Sequence, residues 1–310
     1  MTSSPRFLGL DTIMIDVVLK VAALPERGLD ELAASQLVTA GGGFNALSAA
    51  ARQGMTATYL GQLGSGPFAA IARRALQEEG IDAPIAPKTD VDLGLCLVLV
   101  EHDGERTFVT SPGAEGRLRA SELAAVELFD GDVLFMSGYD FVYPEIAGEV
   151  ITWLRTLSDA ICVAFDPGPR VMDIPLELLN EVLARTDWFL CNAHEARSLA
   201  GDFDVSQVAQ RLLARTGRRG VVIRDGAEGC YVARTKESTL HVRAVPTEVV
   251  DTNGAGDVHN GVLLAEISRG TNLLEAAQRA NIAASIAIGQ LGPATCPGRD
   301  VVSAALAKVY

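Results

Sequence analysis

Aromatic residues make up only 5% of this 310-residue chain, 26 basic residues face 39 acidic ones, and there are five cysteines. Each shortage excludes something. A net charge of −13 leaves little for a basic nucleic-acid surface, so no nucleic-acid partner is expected. Cys96, Cys162, Cys191, Cys230 and Cys296 are scattered and never spaced as CxxC, and four of them sit beside apolar residues. That pattern fits buried thiols in a reducing compartment, and a cytoplasmic protein is expected. His102, His194, His241 and His259 show no spacing such as HExxH, which argues against a zinc centre. Asp11 and Asp16 interrupt the apolar residues near the N-terminus, and no 18-residue apolar run exists. Neither a signal peptide nor a membrane partner is therefore expected. A Walker-type GxxxxGK[ST] is missing, and no GxGxxG follows the first apolar run, which disfavours a dinucleotide-binding oxidoreductase.

What the chain does have is alternation. Short apolar runs at 6–10, 56–61, 132–136, 160–165, 187–191 and 220–224 read as buried strands. Helical patterns lie between and after them, at 45–52, 68–79, 144–157, 175–185, 205–214, 255–269, 273–289 and 300–308. This order predicts an α/β fold, a parallel sheet covered by helices on both faces. Two segments break the rhythm: 13–21 with 34–39, and 94–101 with 106–110, read as antiparallel pairs, with a turn at 102–105. They predict a small separate sheet, either a flap over the site or an edge extension.

The most informative stretch is Asp251-Thr252-Asn253-Gly254-Ala255-Gly256-Asp257. Three small residues at the start of a helix bare the backbone N–H groups to an anion. Asp257 is then anomalous, because a carboxylate repels phosphate unless it takes a proton from an attacking hydroxyl. A helix cap after a glycine turn would explain the same letters. A second cluster, Gly41-Gly42-Gly43-Phe44-Asn45, combines bare backbone with an amide that both donates and accepts. Asn192 and Glu195, after the 187–191 strand, could meet a hydrated Mg²⁺ or simply cap a helix. Arg224, Gly226 and Gly229 fall in a turn between two strands, and Arg224 could reach a phosphate.

In order, the glycine cluster with Asn45, the NxxE at 192–195, the GxxG at 226–229 and the DTxGAGD at 251–257 resemble the ribokinase/PfkB family of small-molecule kinases, from about residue 9 to 297. The resemblance implies a ribokinase-like three-layer α/β/α sandwich in one kinase domain over 1–310, with a β-sheet lid from about 13–39 and 94–110. It implies transfer of the ATP γ-phosphate to a sugar hydroxyl. By position, Asp257 would be the general base and Gly254, Ala255 and Gly256 the anion hole. Asn192 and Glu195 would place Mg²⁺ through water, Arg224, Gly226 and Gly229 would meet the nucleotide, and Asn281 would lie by the adenine. Asp16, Gly42, Gly43 and Asn45 would hold the acceptor. Some relatives use a monovalent cation such as K⁺ near the Asp251 loop, and relatives often form homodimers through the lid. Departures from the family pattern gather around the acceptor: His259 after the base, Ser65-Gly66, Tyr139-Asp140 and Glu115. They put ribose itself in doubt. A nucleoside kinase is the nearest alternative, and a catalytically silent ligand-binding protein a more distant one.

Overall fold

The computed structural model describes residues 4–309 apart from Asp103 and Gly217. The strands are β1 (Arg6–Gly9), β2 (Ile13–Lys20), β3 (Ser35–Gly42), β4 (Thr56–Tyr59), β5 (Leu95–Val100), β6 (Arg106–Ser111), β7 (Val133–Ser137), β8 (Cys162–Asp166), β9 (Trp188–Asn192), β10 (Gly220–Arg224), β11 (Cys230–Arg234) and β12 (Leu240–Val242). The helices are α1 (Phe44–Arg52), α2 (Pro67–Glu78), α3 (Ala120–Ala124), α4 (Tyr139–Val142), α5 (Pro144–Leu154), α6 (Leu176–Arg185), α7 (Ala193–Ala200), α8 (Val205–Thr216), α9 (Ala255–Ser268), α10 (Leu273–Ile288) and α11 (Arg299–Val309).

Eight strands form the main sheet in the order β12-β11-β10-β9-β8-β7-β1-β4. It is parallel from β4 to β10 and turns antiparallel at the β10–β11 hairpin and at β12. The expected parallel sheet is thus mixed at one edge, because the short 226–229 connection cannot carry a crossover. Its strands are apolar on both faces. Phe7, Phe135, Ala164, Leu190 and Val222 face one core, shared with α1, α9 and α10. Leu8, Leu134, Val163, Phe189 and Val221 face the other, shared with α5, α6 and α8. That two-sided burial is what makes the strands read as continuous hydrophobic runs.

The small sheet has the order β3-β2-β5-β6, with both expected antiparallel pairs and a parallel β2–β5 join. Asp103, inside the expected 102–105 turn, lies outside the described residues. Beside it the Glu101 N–H donates to the Glu105 carbonyl at 3.0 Å and closes the connection.

Between α1 and α9 the backbones come close. A Cβ added to Gly261 would stand 2.5 Å from the Ala46 carbonyl oxygen and 2.8 Å from the Ala49 Cβ. Gly261→Val should therefore destabilise the protein by about 1–3 kcal/mol. A denaturant melt with an unchanged midpoint would contradict this packing.

Candidate active site

Parallel α/β sheets bind ligands beyond the carboxyl ends of their strands, where helix N-termini converge. Asp11 just after β1, Ser137 ending β7, Asp166 ending β8, Asn192 ending β9 and Arg224 ending β10 all line one cleft of about 600 Å³. Register aligns them: Ser137 pairs with Asp166, and Asn192 with Arg224. The inner face of the small sheet supplies the opposite wall with Asp16, Cys96, Arg106, Phe108 and Thr110.

The floor is the start of α9. Gly254 caps it in the left-handed region, at φ 73°, and a Cβ there would lie 2.3 Å from the Pro293 carbonyl oxygen. Glycine suits that position because it accepts positive φ without strain. The Ala255 N–H makes only a long 3.3 Å contact to the Thr252 carbonyl. The Gly256 and Asp257 N–H groups fall in the first turn, where a helix supplies no acceptor. The result is a concave set of donors at a positive helix end.

Asp257 stands at the edge of this floor, and Asn45 from α1 donates to its Oδ2 through Nδ2 at 3.0 Å. Burial raises the Asp257 carboxyl to about 6; Asn45 and Arg224 hold it down, while Asp166 pushes it up. Such a group is ionised near neutrality and basic enough to take a proton. Arg224 bonds to Asp166 Oδ2 at 2.9 Å and to Asn260 Oδ1, and Asn260 Nδ2 also donates to Asp166 Oδ2 at 2.7 Å.

The glycines of the 41–43 cluster do different work from one another. A Cβ on Gly41 would sit 2.2 Å from the Asp16 carboxylate, on Gly42 2.4 Å from the Thr12 carbonyl oxygen, and on Gly43 2.2 Å from the Asp11 carbonyl oxygen. Their bareness lets the main chain after β1 and the Asp16 side chain press against this turn. Gly42 lines the cleft, while Gly43 lies behind it. Burial raises the Asp16 carboxyl to about 6, with a further push from Asp257.

Asn192 and Glu195 form a reciprocal cap on α7. The Asn192 N–H and Nδ2 donate to Glu195 Oε2 and Oε1, and the Glu195 N–H donates to Asn192 Oδ1, each at 2.8 Å. Both also line the cleft, and burial, with Asp166 beside it, raises the Glu195 carboxyl to about 7. Cap and cleft contact coexist. Among the described residues, no three His, Cys, Asp or Glu side chains converge as a metal cage.

Other expected positions fall elsewhere. Gly226 and Gly229, with positive φ, shape the β10–β11 hairpin and do not line the cleft. Asn281 also stays out of the lining: its Nδ2 donates to the Val242 and Arg243 carbonyls, tying α10 to β12. His259 is buried within α9, away from the lining, and burial drives its imidazole down to about 3. His194 is exposed. Glu115 is buried and accepts from the Gly94 and Gly113 N–H groups, a local structural brace.

Among the cleft residues the sequence reading left unassigned are Asp11, Ser137 and Asp166 at the strand ends, with Arg106 and Phe108 on the small sheet. Asp11 accepts from Ser137 Oγ, and burial, then Asp140, keeps its carboxyl well above the ordinary range. The available signal for the first three was their shared place at strand ends.

The profile of pfkB family carbohydrate kinases matches residues 7–299, and the chain belongs to that family. An uncharacterized sugar kinase of Escherichia coli K12, YegV, is 33% identical over 97% of this chain and 94% of its own length. An ATP-dependent ribose-1-phosphate kinase of Halopiger xanaduensis is 27% identical over 98% and 99%. The ribokinase structure of Giardia lamblia superposes with a TM-score of 0.86 at 22% identity, covering 99% of this chain and all of that one. The protein is a phosphotransferase with an alcohol acceptor, a sugar or nucleoside kinase of ribokinase-like fold.

The pH profile should report the floor carboxylate. If Asp257 must be ionised, kcat/KM falls about tenfold per unit below pH ~6, because the raised group gains its proton there. Asn45→Ala removes a contact that favours the anion, so its acid limb should move to higher pH. A limb that stays put would uncouple the two residues.

Proposed function

We propose that this chain transfers the γ-phosphate of ATP to a hydroxyl of a sugar, with Asp257 as general base. The observation that carries this reading is Asp257 held by Asn45 beside the bare start of α9, in a cleft walled by both sheets. Asp257 takes the hydroxyl proton as the oxygen attacks the γ-phosphorus, the bond from γ-phosphorus to the β-phosphate oxygen breaks, and ADP leaves with that oxygen. The amides of Gly254, Ala255 and Gly256 receive the charge gathering on the transferred group. Arg224 lies where it meets the remaining phosphates, and Asp16, Gly42 and Asn45 orient the acceptor.

The oxygens of Asn192 and Glu195 already accept from each other's N–H groups, so they fit Mg²⁺ as a hydrated ion held through water rather than by direct ligation. When bound, the ion neutralises phosphate charge. The chain acts as one kinase domain with the small sheet as its lid. Residues 38, 108 and 109 on its two edge strands are exposed hydrophobics, which supports a homodimer through that sheet. The Asp251 carboxylate already accepts from Arg106 and from the Asn253 and Gly292 N–H groups, so any K⁺ there would compete with protein donors. Among the described residues no helix is long and apolar enough to cross a membrane. Four of the five free cysteines are buried, in keeping with a cytoplasmic location.

A nucleoside acceptor is the second reading. Phe108, Tyr139 and Tyr143 line the cleft, so the few aromatics of the chain include three placed where a base could stack.

Asp257→Asn should lower kcat roughly 10²–10⁴-fold while ATP binds as before. Near-normal turnover with purified protein, Mg²⁺ and an active sugar or nucleoside would remove Asp257 from the mechanism.

A further inference from the structure

Asp251 sets a negative charge just ahead of an anion site. It lies three residues before Gly254, where the amides at the start of α9 are bare. Both of its carboxylate oxygens already have donors. Oδ1 accepts from the Asn253 N–H at 2.9 Å and from the Arg106 guanidinium, and Oδ2 accepts from the Gly292 N–H at 3.1 Å. Arg106 also donates to Thr252 Oγ1 at 3.4 Å. The Arg106 and Asp251 side chains are 24% and 12% exposed, so solvent screens the pair only in part. The neighbouring Ile288 carbonyl is occupied as well, accepting from the Val250 and Asp251 N–H groups at 2.8 and 3.0 Å. A monovalent ion such as K⁺, which the family resemblance allows beside this loop, binds through oxygens that replace its water shell. The residues present do not fit it: these oxygens face N–H donors, and a guanidinium already holds the carboxylate.

Building on the kinase reading, we propose that Arg106 is the built-in monovalent cation of this site, a positioning residue that acts through Asp251 and makes turnover independent of K⁺. Asp251 holds its loop through the Asn253 and Gly292 N–H groups. Without a counter-charge, the same carboxylate would repel an anion approaching the α9 amides, and a partly buried charge stripped of its partner is costly. The guanidinium cancels that charge from one nitrogen while another reaches Thr252, two residues ahead of Gly254. A planar fork of N–H donors serves both contacts at once, which a spherical ion cannot do. The loop can therefore keep its carboxylate as an anchor beside an anion site without an ion from solution.

Calorimetric affinity for a non-hydrolysable ATP analogue with Mg²⁺, and coupled ATP turnover on a panel of sugars and nucleosides, test this. Both are read at fixed ionic strength in the chlorides of K⁺, Na⁺ and tetramethylammonium, the last too bulky to enter the loop. Wild type should give the same values in all three salts, within about twofold. In tetramethylammonium, Arg106→Met should lose roughly tenfold or more in analogue affinity and in kcat. Arg106→Lys keeps the charge and should recover most of that loss, and K⁺ should recover part of it in Arg106→Met. A wild type that K⁺ activates more than about fivefold overturns the proposal. So does an Arg106→Met protein that matches wild type in tetramethylammonium. A loss in Arg106→Met that neither Arg106→Lys nor K⁺ repairs marks a structural brace and overturns the charge role too. If Arg106→Met does not fold, the response of wild type to K⁺ decides. Analogue binding that ignores the salt in wild type and weakens in Arg106→Met, with no turnover on any acceptor, supports the role of Arg106 and overturns the kinase reading instead. A wild type that binds no analogue overturns both.

Discussion

The hydrogen bond from Asn45 to Asp257 joins the two glycine-rich segments, 212 residues apart, into one site. Everything around it serves that meeting. Gly261 lets α9 lie against the α1 backbone, which sets the spacing of the two side chains. Gly254 starts α9 in the left-handed region, so the chain enters the helix with its first amides bare. Were the two helices farther apart, Asp257 would lose the donor that favours its ionised form, and neighbouring Asp166 would hold it closer to neutral.

The cleft concentrates acidic side chains, and that has an electrostatic cost. Asp11, Asp16, Asp166, Glu195 and Asp257 all line it, and burial lifts Asp11, Asp16, Glu195 and Asp257 above their ordinary range. Arg224 is the counterweight, half-buried among them and bonded to Asp166. A buried ion pair with extra hydrogen-bond partners is costly to break, because the remaining charge is left uncompensated. Carboxylates crowded and buried in this way, with raised proton affinity, are common at functional sites.

Much of this was legible because the motifs are contiguous. Asp251 to Asp257 lies in one short segment, and its conformation follows from three small residues before a helix. The strands were legible too, since both faces are buried and the runs read as uninterrupted apolar stretches. Asp11, Ser137 and Asp166 were not, because each is one polar letter at the end of a different strand, and only sheet register brings them together. Asn281 is a different case. The resemblance put it by the adenine, and its amide is spent on two carbonyls at the sheet edge, a partnership no single letter announces. The Asn192–Glu195 pair shows that a cap and a cleft residue need not be alternatives.

Arg106 is a mechanical element. It stands on β6 of the small sheet, yet its guanidinium reaches Asp251 and Thr252 at the start of the loop that leads into α9. Asp251 in turn accepts from the Asn253 and Gly292 N–H groups. Swinging the small sheet outward would pull a guanidinium from a carboxylate that also pins two backbone amides. The small sheet and the loop thus share one hinge-pin, and the shape of the α9 entrance is tied to whether the opposite wall is in place.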